Sequence, residues 1–318
     1  MSKKYRIGVD IGGTNVKIAL VDIKGRIVYS NSVPTRAEMG YQYTIDNLKS
    51  VIYSSLKETN TSIDTVGGIG FGLPGQINSD EGIVRLLPNI PGWVNVPLSK
   101  IMEDEFNITT KVDNDVRVAT LGEFNFGAGK GCNNLVCITV GTGIGSGLIV
   151  NGQLVRGASM SAGEIGHMIL KDQHGLICGC GNTGCLEAYA SGPSIVQMAH
   201  EYIMGGKSTK YKELAASSQI TPHIVFEAAK QGDAVAKRIF EITGYWIGIA
   251  LTSVVNLLNP EKIIVGGGVA QAGDLLLDPI RKTINERALK VSADAVQVVP
   301  AELGESAGVV GASLLVQK

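Results

Sequence analysis

Arg6-Ile-Gly-Val-Asp10-Ile-Gly-Gly-Thr-Asn15-Val-Lys-Ile-Ala-Leu20-Val-Asp-Ile-Lys-Gly25-Arg-Ile-Val-Tyr29 decides the fold. Two β-rich runs flank Gly12-Gly13, and a third follows the turn at Lys24-Gly25. The pattern predicts three antiparallel strands joined by two tight turns. It recurs at Asn134-Leu-Val-Cys-Ile-Thr-Val140-Gly-Thr-Gly-Ile-Gly145-Ser-Gly-Leu-Ile-Val150-Asn-Gly-Gln-Leu-Val155. A supersecondary unit present twice predicts two lobes built on one plan, each with a Gly-rich hairpin. The 318 residues accommodate about two domains.

Outward from these meanders, Tyr41–Leu56 has helical spacing of apolar residues, and Thr65–Gly72 returns to a strand. Helices are expected near Pro193–Met204, Thr221–Gln231, Ala234–Leu258 and Leu275–Leu289. Strands are expected at Lys262–Val265 and Val296–Pro300, and a closing helix begins near Ser306. Ile239–Leu258 is the most apolar long stretch. It contains Glu241, Thr243, Gly244 and Asn256, so a buried helix is expected there rather than a membrane span.

Lys plus Arg is 28 against 29 for Asp plus Glu, and aromatics are only 5%. Neither nucleic acid nor an acidic membrane is expected as a partner. No apolar leader precedes the first strand, so a cytoplasmic protein is expected. Glycine is the unusual component, with 41 residues clustered in loops. Bare backbone N–H groups approach phosphate oxygens closely, so such loops suit a nucleotide. Gly206-Lys207-Ser208 is not a P-loop, because Glu201 stands where its first glycine should be. Gly70-Phe-Gly72-Leu-Pro-Gly75 fits GxGxxG formally, but Pro74 sits inside it and no helix pattern opens after it. Three loops remain: Asp10–Asn15, Val140–Gly145 and Ile264–Gly268. One alone would be a tight turn; three after apolar strands point to nucleotide binding.

Five cysteines is an odd number, and three stand together in Cys178-Gly-Cys180-Gly-Asn-Thr-Gly-Cys185. With His167 the spacing is H-x10-C-x-C-x4-C. Three thiolates and one imidazole complete a closed tetrahedral zinc shell. Disulfide pairing would strand one cysteine, and an Fe–S cluster more typically wants four. His174, His200 and His223 have no motif around them and read as surface or packing residues.

Lys111-Val-Asp-Asn114-Asp115-Val-Arg117 places polar residues between a strand and a helix. One of them as a helix N-cap is the plain reading.

Along essentially its whole length the chain resembles the ROK-family sugar kinases of the actin-like, hexokinase-like ATPases. The resemblance rests on the three glycine loops, Asn114-Asp115, Gly163-Glu-Ile-Gly-His167 and Gly184-Cys-Leu-Glu187. It implies an α/β fold of two ribonuclease-H-like lobes with a central cleft. The smaller lobe would be residues 1–118 plus 303–318, and the larger 119–302 with the zinc segment. It implies ATP and Mg²⁺, with Asp10, Gly12, Gly13, Thr14, Asn15 and Lys17 as the first phosphate loop. Asp10 would face Mg²⁺; a strand-end Asp bonding a backbone N–H is its plainer role. Gly141, Thr142, Gly143 and Gly145 would form the second loop, and Gly266, Gly267 and Gly268 the adenosine side. Asp115 would be the catalytic base. The sugar would be held by Asn89 (of Pro88-Asn-Ile-Pro-Gly-Trp93), Asn114, Asp115, Glu164, His167 and Glu187. His167, Cys178, Cys180 and Cys185 would hold a structural Zn²⁺. The family more often has Asn-Ala-Ala after the Asn-Asp pair and its next residue, where Arg117-Val-Ala stands here.

The resemblance implies an ATP-dependent kinase acting on the 6-hydroxyl of a hexose, with glucose indicated by the segments around Asn89, Asn114, Glu164 and Glu187. N-acetylmannosamine, N-acetylglucosamine, fructose and allose are the alternatives. The family also includes sugar-responsive repressors, but these carry an N-terminal DNA-binding domain for which residues before Asp10 leave no room. An actin- or chaperone-type ATPase would lack the zinc cluster and the Glu164/Glu187 pair. A homodimer is expected, as is common in the family.

Overall fold

Strands β1 (Tyr5–Ile11), β2 (Asn15–Asp22) and β3 (Ile27–Pro34) form the first antiparallel meander, with Asp10 opposite Lys17 and Ile11 opposite Val16. β1 and β2 are buried along most of their length, whereas β3 alternates between half-buried and exposed residues, as a strand at the sheet edge does. The computed structural model describes residues 3–87, 90–215 and 219–317.

Helix α1 (Gly40–Glu58) leads to β4 (Val66–Leu73), which runs parallel to β1. A small antiparallel sheet follows, β5 (Gln76–Asn78), β6 (Ile83–Leu86) and β7 (Val94–Val96), then α2 (Leu98–Phe106) and β8 (Thr110–Asn114). Neither the small sheet nor α2 is announced by the sequence pattern. β8 is parallel to β4, giving the order β3-β2-β1-β4-β8. The register sets Asp10 beside Gly72 and Gly72 beside Asp113. The carboxyl ends of three parallel strands therefore share one edge, where open α/β sheets bind their ligands.

Helix α3 (Asp115–Phe126) leaves β8 directly. The closing helix α11 (Ala307–Leu314) is buried at every residue. A Cβ on Gly8 or Gly70 would run into the carbonyls of Val309 and Ala312, so the glycines let this helix lie directly on β1 and β4.

The second meander is β9 (Leu135–Val140), β10 (Ile144–Val150) and β11 (Gln153–Leu154), in the sheet order β11-β10-β9-β12-β13. β12 (Lys262–Gly266) and β13 (Gln297–Pro300) are parallel to β9 and to each other. The two sheets thus repeat one plan, an antiparallel meander continued by two parallel strands. Helices α4 (Glu187–Ala190), α5 (Gly192–Met204), α6 (Lys210–Ala215), α7 (Pro222–Lys230), α8 (Ala234–Leu258), α9 (Asp274–Arg287) and α10 (Lys290–Ala295) complete the chain. Among the described residues α8 alone is long and apolar enough to cross a membrane. Its Ile239, Phe240, Ile247, Leu251 and Val255 are buried, and Gly244 and Gly248 face Pro279 and Thr283 of α9, so it serves as a core helix here.

The chain divides into one unit of Met1–Gly131, Gly147–Ala162 and Glu302–Lys318, and a second of Cys132–Ser146 and Gly163–Ala301. The expected division at 118/119 falls inside α3. Packing keeps that helix whole in the first unit and adds 147–162, because Thr120 sits against Gly147 and Arg156 bonds to Asp113.

Candidate active site

In the first unit, the Asp10–Lys17 segment is the β1–β2 turn. Gly12 N–H donates to the Asn15 carbonyl at 2.8 Å, and the Thr35 hydroxyl donates to the Gly12 carbonyl at 2.7 Å. Gly13, Thr14 and Asn15 are exposed, and a Cβ on Gly13 would meet nothing within 4 Å. The turn is thus pinned from behind and open in front. Lys17 pairs with Glu305 at 2.8 Å.

Asn114 closes β8 and caps α3. Its Oδ1 accepts from Val116 N at 3.0 Å and Arg117 N at 3.3 Å. The capping reading therefore holds for Asn114, whose amide oxygen is committed to the helix. Asp115 is the first residue of α3 and is half-buried. A Cβ on Gly72 would lie 3.5 Å from the Asp115 Cα and 3.6 Å from Asp10 Oδ1, so the two acids flank one glycine. Burial, and second the charge of Asp115, push the Asp10 carboxyl up to about 7, against the pull of Lys17. A divalent cation suits two carboxylates that resist ionising together.

Asp113 is fully buried. It accepts from Arg156 Nε at 2.7 Å and from Asn114 N at 2.8 Å, and it lies 3.3 Å from Arg117 Nη1. Arg117 also donates from Nη2 to the Met160 carbonyl at 2.7 Å. This gives Arg117 a role. It fastens the start of α3 to the 156–162 segment, next to the Asn114-Asp115 corner. Asp113, Arg156 and Met160 carry no motif; only the buried acid at a strand end hints at a partner.

In the second unit, the Gly141–Gly143 turn closes with Gly141 N–H donating to the Gly143 carbonyl at 2.9 Å. Gly192, the first residue of α5, donates its N–H to the Gly141 carbonyl at 2.7 Å. Gly267, in the left-handed region at φ 87°, packs against Val140, so the second and third glycine loops are neighbours. The Gly163–His167 segment lies along β10. A Cβ on Gly166 would overlap the Ile144 carbonyl, and the Ser146 hydroxyl donates to the Gly163 carbonyl. Glu187 opens α4 and reaches the same turn: its Oε2 accepts from Ile144 N at 2.8 Å.

His167, Cys178, Cys180 and Cys185 place their ligand atoms within 4.8 Å of one another. His167 Nδ1 is 3.8 Å from Cys178 Sγ, and Cys180 Sγ is 3.8 Å from Cys185 Sγ. A tight turn builds the knuckle, with Cys178 N–H donating to the Asn182 carbonyl and Gly181 N–H to the Cys178 carbonyl. An antiparallel bridge between Ile169 and Cys185 joins the two segments. Burial, then the bonds from Cys180 and Cys178, push the Cys185 thiol up to about 12. Three thiols this close carry thiolate charge together only against a cation, which is the chemistry of a zinc shell.

The structure thus gathers Asp10, Gly12, Gly13, Thr14, Asn15, Lys17, Asn114 and Asp115 in one unit. It gathers the other two glycine loops, Glu164, His167, Glu187 and the cysteines in the other. Asn89 lies outside the described residues.

The ROK family model matches residues 6–318. The glucokinase of Halalkalibacterium halodurans is 38% identical, covering 100% of this chain and 96% of that protein. The xylose repressor of Caldicellulosiruptor bescii is 31% identical over 98% of this chain and 77% of its own length. Among solved structures, a ROK family glucokinase from Streptomyces griseus in complex with glucose and AMPPNP superposes with a TM-score of 0.82 at 36% identity, covering 98% of each chain. Motifs, architecture and these likenesses agree across the full length: the chain belongs to the ROK family.

Proposed function

We propose that the chain is an ATP-dependent glucokinase that transfers the γ-phosphate of ATP to the 6-hydroxyl of glucose. Full-length likeness to glucokinases supports the activity. The observation that carries the mechanism is Asp115, mounted where β8 meets α3 and set beside Asp10 across Gly72.

Asp115 takes the proton of the 6-hydroxyl as it attacks. Helix α3, capped by Asn114 and tied down through Asp113 and Arg117, holds the carboxylate still while the proton moves. Asn114 offers its amide N–H to the sugar, and Glu164, His167 and Glu187 take further hydroxyls, with Asn89 assigned alongside them. Glu164 and His167 are exposed and Glu187 is half-buried, so a sugar that covers them must satisfy them, and an analogue lacking those hydroxyls leaves them unpaired. The Gly12–Asn15 turn, with Lys17, and the Gly141–Gly145 turn offer backbone N–H groups to the phosphates. Gly266–Gly268 serve the adenosine side. Asp10 faces the Mg²⁺ that accompanies ATP, which neutralises phosphate charge when bound. His167, through Nδ1, and Cys178, Cys180 and Cys185 hold a structural Zn²⁺ that fixes the segments carrying Glu164 and Glu187. A reducing cytoplasm keeps these thiols available, and the enzyme works as a homodimer with glucose and ATP as its small-molecule partners.

The test is an ATP-dependent phosphorylation panel over glucose, N-acetylmannosamine, N-acetylglucosamine, fructose and allose. Glucose should show the highest kcat/KM. A different preferred sugar would move the enzyme elsewhere in the family, and no turnover with any of them would leave the repressor-type reading in its place.

A further inference from the structure

Within the second unit one carboxylate answers two places. Glu187 Oε2 accepts the Ile144 N–H at 2.8 Å, and Ile144 directly follows the Gly141–Gly143 turn. Its Oε1 faces the other way, 3.8 Å from Cys178 Sγ. A Cβ on Gly143 would lie 2.5 Å from Oε2 and 3.3 Å from the carboxyl carbon. A glycine in such a loop is ordinarily explained by the approach of a phosphate. Here the room that Gly143 leaves is taken by a side chain from α4.

We propose that Glu187 is a positioning residue for the nucleotide loop as well as a ligand of the sugar, so that sugar occupancy and the shape of the Gly141–Gly145 turn are coupled through its carboxylate. This rests on the reading that Glu187 takes a sugar hydroxyl and that this turn takes phosphate. A hydroxyl bound to Glu187 fixes the orientation of the carboxylate. The Ile144 N–H follows it, and the turn is ordered before ATP arrives. Such coupling is reciprocal: glucose tightens nucleotide binding by the factor by which nucleotide tightens glucose binding.

Calorimetry on the zinc-loaded full chain, with glucose and a non-hydrolysable ATP analogue, tests this. Gly143→Ala pushes the carboxylate aside and should weaken glucose binding roughly tenfold with no nucleotide present, the loss expected of one charge-assisted hydrogen bond. Glu187→Asp draws the carboxylate back from Ile144 and should weaken the ATP analogue by about the same factor. Glu187→Gln keeps an oxygen for the Ile144 N–H. It should restore the analogue to within ~3-fold of wild type while glucose stays weak, a split that general damage to the fold would not give. Gly143→Ala binding glucose like wild type, or Glu187→Asp binding the analogue like wild type, overturns the coupling. A wild-type chain that binds the analogue but no glucose overturns instead the sugar reading beneath it.

Discussion

Replacing Asp10 by Asn should make the protein more stable and a poorer enzyme. Burial and the charge of Asp115 raise the Asp10 carboxyl from its ordinary 3.8 to about 7. The folded chain therefore holds this proton more tightly than the unfolded chain. The stability this provides is complete below about pH 4 and is lost as the pH rises to about 7. A proton affinity raised on the order of a thousandfold is worth ~4 kcal/mol. Relaxation around the charge reduces that, so Asp10→Asn should gain roughly 2–4 kcal/mol at about pH 8. Near pH 5.5 the gain should be about half as large, since the wild-type carboxyl is by then mostly protonated in the folded state. Urea unfolding of both proteins at the two pH values reads this directly. The variant should also lose kcat/KM for ATP, because the role proposed for Asp10 toward Mg²⁺ needs the ionised carboxylate. A variant no more stable than wild type at pH 8 would refute the reasoning. So would a gain of equal size at both pH values, which would make it a packing effect.

Elemental analysis should find about one zinc per chain, and Cys180→Ser should lose it and raise the KM for glucose at least tenfold by loosening Glu164 and Glu187. A folded, metal-free variant with unchanged KM would place the metal away from recognition. Arg117→Ala should cost ~3 kcal/mol in urea unfolding, because fully buried Asp113 would be left to Arg156. A cost under about 0.5 kcal/mol would show that Arg156 alone suffices. A Cβ at Gly13 meets nothing within 4 Å, so Gly13→Val should raise the KM for ATP about tenfold while glucose binding holds. An unchanged KM would make the turn a turn only.

What the sequence discloses follows from where the interactions lie along the chain. The two meanders and α8 are written in short windows, as alternation or helical period, and they appear as read, while the His–Cys spacing announces four side chains that the fold brings together. The β5–β7 sheet escapes because its strands are three or four residues long, too short for a period to declare itself. The division of the chain depends on contacts of β8 and α3 with Arg156 and Met160, about forty positions away, and no local pattern reports them. Asn114 shows why a motif admits two readings: its amide oxygen caps the helix, and the sugar contact proposed for it would use the amide nitrogen instead. Gly143 was legible as a constraint but not as to its cause, since Glu187 is distant in sequence and carries its own motif.

The central claim, that Asp115 is the base of a sugar phosphotransferase, is tested most directly by steady-state turnover of Asp115→Asn with glucose and ATP, beside calorimetric glucose binding. The amide preserves size and hydrogen bonding but takes no proton. The account predicts kcat lower by at least ~10²-fold, with glucose affinity within about threefold of wild type. A folded variant that keeps more than about a tenth of the wild-type kcat would contradict it, because general-base catalysis contributes roughly 10²–10⁴-fold.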